Sequence, residues 1–442
     1  MIPNCQALEI NLDRNFQRMS DGAEVPAWCI TRALGRCTHR FFDTCPISPS
    51  GRWLAVTRLP HEDHPPAPGE QATVVCFDLL SGEVREIGPT HAWDIQLGAQ
   101  VQWGPSDEVL YFNDQNPGEW IPFAVQHDLA SGTSRRLGGP VYMVSPDGSR
   151  LASPCLRRTL QTQAGYGAVV PREFLTENHG APDDDGIYVT DAVSGRSRLL
   201  VSLAQIVEAT GIADRVDLRT AAFYGFHVKW SPNGERLLLV LRNRPRGQNR
   251  NQSYVVTLDQ DGGNIRLALD WSVWSAGGHH PNWHPDSEYI VMNLRDTSRK
   301  MRFVCFRYDG SGLFEPVPGA VGSGHPSFSP DGRFLLTDAY LAEKLGTPPD
   351  RCAPLRLINL ATGKEKIAAN IDTRPTVEDG SLFRIDPHPA WHGGGRFVAF
   401  NGRADGTRQV FVADLASLLS PVRNEPLYRK PGPLQRLLQL FQ

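Results

Sequence analysis

Four histidines stand at one repeated place in this sequence. Seven short segments of the chain join two apolar runs through a turn of the Ser-Pro-Asp-Gly type. Three residues before the bulky residue that opens each turn, the last four copies carry His227, His280, His325 and His388, in the contexts HVKW, HHPNW, GHPSF and HPAW. The first three copies carry Thr44, Gln100 and Val141 there. Neutral imidazole is a ligand for zinc, manganese, iron and nickel. If the repeats are copies in register, these four imidazoles converge and hold a metal or an anionic ligand. His279 and Asp386 sit beside them and would join or orient the set. The competing reading is packing: a lone His before Pro is commonly a hydrogen-bonded core residue, and repeats also copy residues for packing alone.

The elements that must position these residues are β-hairpins. The turn segments are ISPSGRWLAV (47–56), WGPSDEVLYF (103–112), VSPDGSRLAS (144–153), WSPNGERLLLVL (230–241), WHPDSEYIVM (283–292), FSPDGRFLLT (328–337) and WHGGGRFVAF (391–400). Pro presets the turn, and Asp, Asn and Gly accept its tight or left-handed positions. A second pattern alternates with the first. It is a β-rich run ending near Asp and often followed by Ser/Thr-Gly, as in VVCFDLLSG (74–82), IYVTDAVSG (187–195) and LRLINLATG (355–363). It also occurs seven times, and a further short strand follows six of the copies. Each unit is then about four strands, a propeller blade. The expected fold is all-β: a seven-bladed β-propeller of four-stranded antiparallel blades over 28–418. The strand-like WCITRALG (28–35) would complete the last blade and close the ring, which removes sheet edges. Residues 1–27 form an N-terminal segment and 419–442 a tail, with a short amphipathic helix at 433–442. A long insertion, 154–226, separates the third and fourth hairpins and carries a helical stretch at 202–215.

The chain has 442 residues, 40% hydrophobic and 21% charged, with a formal net charge of -3. That is an ordinary globular composition, without the basic excess that suits a nucleic-acid partner. The start, MIPNCQALEINLDRNF, lacks a basic stretch followed by an apolar core, so no secretory leader is expected, and no apolar run is long enough for a bilayer. The eight cysteines are scattered and none forms a CxxC pair. Free buried thiols and a cytoplasmic location follow as expectations. GxGxxG, P-loop and nucleophile-elbow motifs are absent.

The hairpin wording resembles TolB-like propeller repeats across nearly the whole chain. With histidines on successive blades, the chain resembles the propeller polysaccharide lyases that cleave uronic-acid polymers, such as oligogalacturonate lyase and the ulvan lyases, and a related group that acts on rhamnose linked to glucuronate. The resemblance implies a divalent metal ion (manganese, zinc or calcium) and an oligosaccharide substrate containing uronic acid, with neither nucleic acid nor membrane as partner. By blade spacing His280 matches the base of oligogalacturonate lyase, and His325 and His388 match metal ligands. Asp386, in RIDPHP, falls where that family places a further His. Tyr142 and Arg158 match the Tyr and Arg that ulvan-type lyases place on a middle blade. In the second blade, THAWDIQLGAQVQW offers His91, Gln96 and Gln100 where that group has paired histidines. His39, in THRFFDTCP, is the candidate for the first-blade His of the rhamnose-linked group.

The chemistry suits these residue types. β-Elimination removes the C5 proton of a uronate, which becomes acidic once the adjacent carboxylate's charge is neutralised by a metal ion or an Arg. A His or Tyr takes the proton and an acid assists the leaving oxygen. Plainer readings stand beside these: Tyr142 capping a blade, Arg158 paired with a carboxylate of the insertion, Tyr166 structural, the acidic run 183–185 solvated, and His61 and His64 on the surface of a Pro-rich loop. The leading expectation is a lyase on small uronic-acid oligosaccharides. A glycoside hydrolase acting through His39 and a non-enzymatic protein-binding propeller are the alternatives.

Overall fold

The computed structural model describes residues 11–19, 22–248, 250–340, 352–377 and 381–419. Cys5 and the expected helix at 433–442 lie outside them. Seven antiparallel sheets follow one another along the chain. They are the blades of a seven-bladed β-propeller. The fourth is representative: Phe223–Trp230, Arg236–Asn243, Gln252–Asp259 and Arg266–Leu269 pair in sequence order.

The Ser-Pro-Asp-Gly wording builds the turns as the sequence predicts. In FSPDGRF, Gly332 N–H donates to the Ser329 carbonyl at 2.8 Å, and Ser329 N–H to the Phe334 carbonyl at 2.8 Å. The Ser329 hydroxyl donates to Asp331 at 2.6 Å. Gly332 stands at φ +70°, where a side chain would be strained. The equivalent Ser145 and Ser149 hydroxyls hold the Asp147 carboxyl down at about 2.

Two sheets depart from the simple pattern. The fifth has three strands, Gly278–Trp283, Tyr289–Arg295 and Met301–Arg307. Its outer strand is reduced to bridges from Phe314 to Cys305 and from Val321 to Arg302, because Pro316 and Pro318 between them have no N–H to give a ladder. In the last, Ala27–Cys29 pairs with Thr407–Asp414 through Ala27↔Ala413, Trp28↔Val412 and Cys29↔Phe411. The predicted strand at 28–35 is therefore shorter and starts one residue earlier; Leu34 and Gly35 N–H both donate to the Thr31 carbonyl, a turn.

The stretch 154–226 is not all insertion. Gly186–Asp191 and Ser197–Ser202 within it are the outer strands of the third sheet. The helix expected at 202–215 spans Leu203–Ala209, capped by a reciprocal Ser202–Gln205 pair. It stops before Gly211, which sits at φ +64°.

The chain divides into two compact units. Among the described residues, the first is drawn from 11–112, Gln126–Ser134 and 323–419, the second from Asn113–Val125 and Arg135–Gly322. In the second, Leu237, Leu239 and Leu241 pack with Ile187, Val201 and Ile206. Leu238 and Val240, on the opposite face of that strand, are buried as well, which is why LLLVL reads as an unbroken apolar run rather than an alternating one. In the first, Trp28, Leu54, Val56, Phe77 and Val412 form one cluster, and Phe334, Leu355, Ile371 and Phe400 another. Among the described residues no helix is long and apolar enough to cross a membrane.

Candidate metal centre

In the first unit, His325 and His388 come together. Their rings lie edge to face with centroids 4.4 Å apart, and both side chains are buried. Asp386 completes a group whose donor atoms all lie within 4.8 Å of one another. Its Oδ2 is 3.9 Å from His388 Nε2.

Each member is held by a different device. His325 follows Gly324, which sits at φ +64°; a Cβ there would meet Asp338 Oδ1 at 2.2 Å. The absence of a side chain lets Asp338 approach and accept the His325 backbone N–H at 2.7 Å. Both Asp338 oxygens also lie 2.9 Å from His325 Nδ1. That contact places the proton on Nδ1 and makes Nε2 the acceptor nitrogen. The Tyr340 hydroxyl lies 3.4 Å from Nε2.

His388 has a left-handed backbone, φ +48°, a conformation that costs a non-glycine residue roughly 1 kcal/mol or more. Both of its ring nitrogens are buried without a hydrogen-bond partner. Burial, and then the charges of His325, His39, Arg384 and Arg408, drive its pKa well below the ordinary value, so the ring stays neutral. Asp386 takes a hydrogen bond from Arg384 Nε at 2.8 Å. The Phe41 ring lies 4.7 Å from His388 and 5.6 Å from His325, and Phe42 lies 5.3 Å from His325. These rings exclude water and strengthen electrostatic interactions at the group.

Asn401 ties the strands together. Its side chain accepts the His39 N–H at 3.1 Å and donates to the Asp386 carbonyl at 3.3 Å. His39 lies with its ring 6.4 Å from His388; burial pulls its pKa down to about 3. Gln96 Nε2 donates to the Leu382 carbonyl at 2.7 Å and fastens the segment that leads into Asp386. Gln100 stands at φ +56° and is buried. His91 is half-buried after the strand Val84–Thr90.

The remaining predicted residues belong to the second unit. His227 stacks on Phe226 at 3.9 Å and against Tyr142 at 5.3 Å, while the Arg242 guanidinium covers Phe226 at 3.4 Å. His280, at φ +62°, has its Nδ1 2.8 Å from His279 Nδ1, and Asn293 Nδ2 reaches His279 at 3.0 Å. Arg158 pairs with Asp184 through both nitrogens, at 3.2 and 3.0 Å, and lies 3.5 Å from Asp185. The plainer reading of Arg158, a partner for the acidic run of the insertion, is the arrangement present.

Asp338, Tyr340 and Asn401 were missed by sequence reasoning. A signal existed. In FLLTD, FVAFN, YIVMN and VLYFN the residue after four strand positions is Asp or Asn, and at Asp338 and Asn401 that place reaches a residue of this group.

The architecture has known counterparts. A solved oligogalacturonate lyase in complex with manganese shares 14% identity and a TM-score of 0.62, over 90% of this chain and 96% of that one. Oligogalacturonate lyase from Vibrio parahaemolyticus shares 13% identity and a TM-score of 0.61, over 91% and 96%. The fold is similar to that of oligogalacturonate lyase. TolB from Acinetobacter baumannii is a more distant likeness, with 10% identity and a TM-score of 0.40 over 82% of this chain and 80% of that one. No family model matches the chain, and no curated protein matches it either. His325, Asp386 and His388 fit a divalent ion on their own chemistry: two imidazoles and a carboxylate in a buried setting, with both His388 ring nitrogens unpartnered.

Proposed function

We propose that this protein is a lyase that cleaves uronic-acid-containing oligosaccharides by β-elimination, with a divalent ion held by His325, Asp386 and His388. The observation that carries this reading is the pair of unpartnered ring nitrogens on buried His388, beside Asp386 and a His325 whose tautomer is fixed by Asp338. The likeness of fold to oligogalacturonate lyase supports it. A bound divalent ion neutralises the charge of a uronate carboxylate and so acidifies the neighbouring C5–H.

The chain's own groups do the rest. Arg384 and Arg408 add positive potential at His388, which favours an anionic sugar. In the reaction the C5 proton passes to a base, the C4–O bond breaks, a C4=C5 double bond forms, and the leaving oxygen takes up a proton. Tyr142, Arg158, His91, Gln96, Gln100, His227 and His279 carry no step in this reading. A cytoplasmic location belongs to the proposal: burial lifts the thiols of Cys29, Cys37 and Cys45 to about 12, and they are unpaired. Such thiols suit a reducing compartment.

His39, beside His388, favours a second reading, hydrolysis of a rhamnose–glucuronate linkage at the same group. Product analysis separates the two, since hydrolysis adds water and leaves no double bond. The test is to mix the protein and Mn(II) with oligomers of galacturonate, glucuronate and iduronate and to follow the unsaturated-uronate absorbance. A rise that is lost in H388A is expected; no rise with any of the three refutes the proposal.

A further inference from the structure

The loop between Trp53–Arg58 and Ala72–Asp78 carries His61, Asp63, His64 and Glu70 in a Pro-rich stretch that sequence reasoning left as surface. The loop is held rather than loose. Glu62 is buried and its two oxygens accept the Arg408 backbone N–H at 3.2 and 3.1 Å. Trp93 Nε1 donates to the Glu70 carbonyl at 2.9 Å, and its ring walls His61 at 5.6 Å. Pro60, Pro65, Pro66 and Pro68 stiffen the path, and Gly69, at φ +84°, turns the chain back so that Glu70 faces the histidines.

The result is a small, oriented donor set. His61 Nε2 lies 3.0 Å from one Glu70 oxygen, and His64 Nε2 lies 4.0 Å from the other. The imidazoles stack at 3.5 Å with a 15° tilt. One donor atom from each of the three residues lies within 4.8 Å of the others. A tetrahedral ion with bonds of ~2.1 Å needs ligand separations of roughly 3.4 Å, and the 3.0 Å between His61 Nε2 and its Glu70 oxygen is close to that. Asp63 Oδ1 lies 2.7 Å from His64 Nδ1, the outer carboxylate that commonly orients a metal-bound His.

We infer that His61, His64 and Glu70 form a second metal site, distinct from the His325 group, that takes a borderline divalent ion of the zinc or cobalt class. Two imidazoles and one carboxylate select such ions over calcium or magnesium, which prefer all-oxygen shells. Three protein ligands leave a coordination position open to water or an anion.

Ion counting on the full-length protein tests this. Equilibrium dialysis with Zn(II), and the visible Co(II) band, are read for the wild-type chain, H64A, D63N and H388A. His64 is more than half exposed, so H64A should melt like wild type in chelator. H64A is expected to bind one ion fewer than wild type, and D63N to bind that ion about tenfold or more weakly. H388A should keep it. Equal stoichiometry in wild type and H64A overturns the inference. If H388A loses no ion while H64A loses one, the His325 reading fails and this one stands.

Discussion

Both carboxylate oxygens of Asp338 lie 2.9 Å from Nδ1 of His325. The same carboxylate accepts the His325 backbone N–H at 2.7 Å. One side chain thus sets the position of the ring, its rotation and its tautomer. Outer partners of this kind typically contribute 10–100-fold to metal affinity. D338N is therefore expected to weaken Mn(II) binding by about 10–100-fold, because an amide can present its N–H to Nδ1 and free the wrong tautomer. Isothermal titration of the variant checks it, and unchanged affinity would remove Asp338 from the account.

Asn401 makes a different contribution. It satisfies the buried His39 N–H and reaches the Asp386 carbonyl. Substitution N401A leaves both without that partner, at about 1–3 kcal/mol. Urea unfolding should show that loss, together with weaker metal binding, since Asp386 loses its tether.

Acid should destabilise the chain through His39. Its pKa is about 3 in the folded state, against about 6.5 unfolded. Below pH 6.5 the unfolded chain takes up a proton that the folded chain refuses. The stability associated with this residue is therefore intact above pH 6.5 and falls as pH drops toward 3, by about 1.4 kcal/mol per pH unit. His388, also held neutral by burial, steepens the slope. Urea midpoints in chelator at pH 7, 6 and 5 should fall less in H39Q than in wild type; equal slopes would contradict the assignment.

The core of the second unit gives a control. Leu239 is fully buried on a strand with apolar neighbours on both faces. L239A should cost about 2–5 kcal/mol in urea unfolding while the affinity of the His325 group for Mn(II) stays at its wild-type value.

Much of this was legible in the sequence because repeats make register visible. The turn wording located the hairpins, and stepping back three residues found His325 and His388, which meet. The same step found His227 and His280, whose local partners, Phe226 with Tyr142 and His279, are not fixed by spacing. Asp338 and Asn401 come after four positions of the second strand of their hairpins, outside the inner-strand register that the turn wording marks. Arg158 had two plausible partners, and only the path of the insertion decides for Asp184 and Asp185. The left-handed backbones of Gln100, His280 and His388 left no trace either, since none is a glycine and non-glycine residues adopt that conformation too rarely for sequence to signal it. Glu70 meets His61 and His64 because the loop between them folds back, a tertiary closure that no periodicity encodes.

The metal group at His325, Asp386 and His388 is open to anomalous diffraction at the manganese edge from crystals grown with Mn(II). A peak bounded by His325 Nε2, His388 and the Asp386 carboxylate is expected, absent in H388A crystals grown the same way. A wild-type map with no peak among these three residues would contradict it.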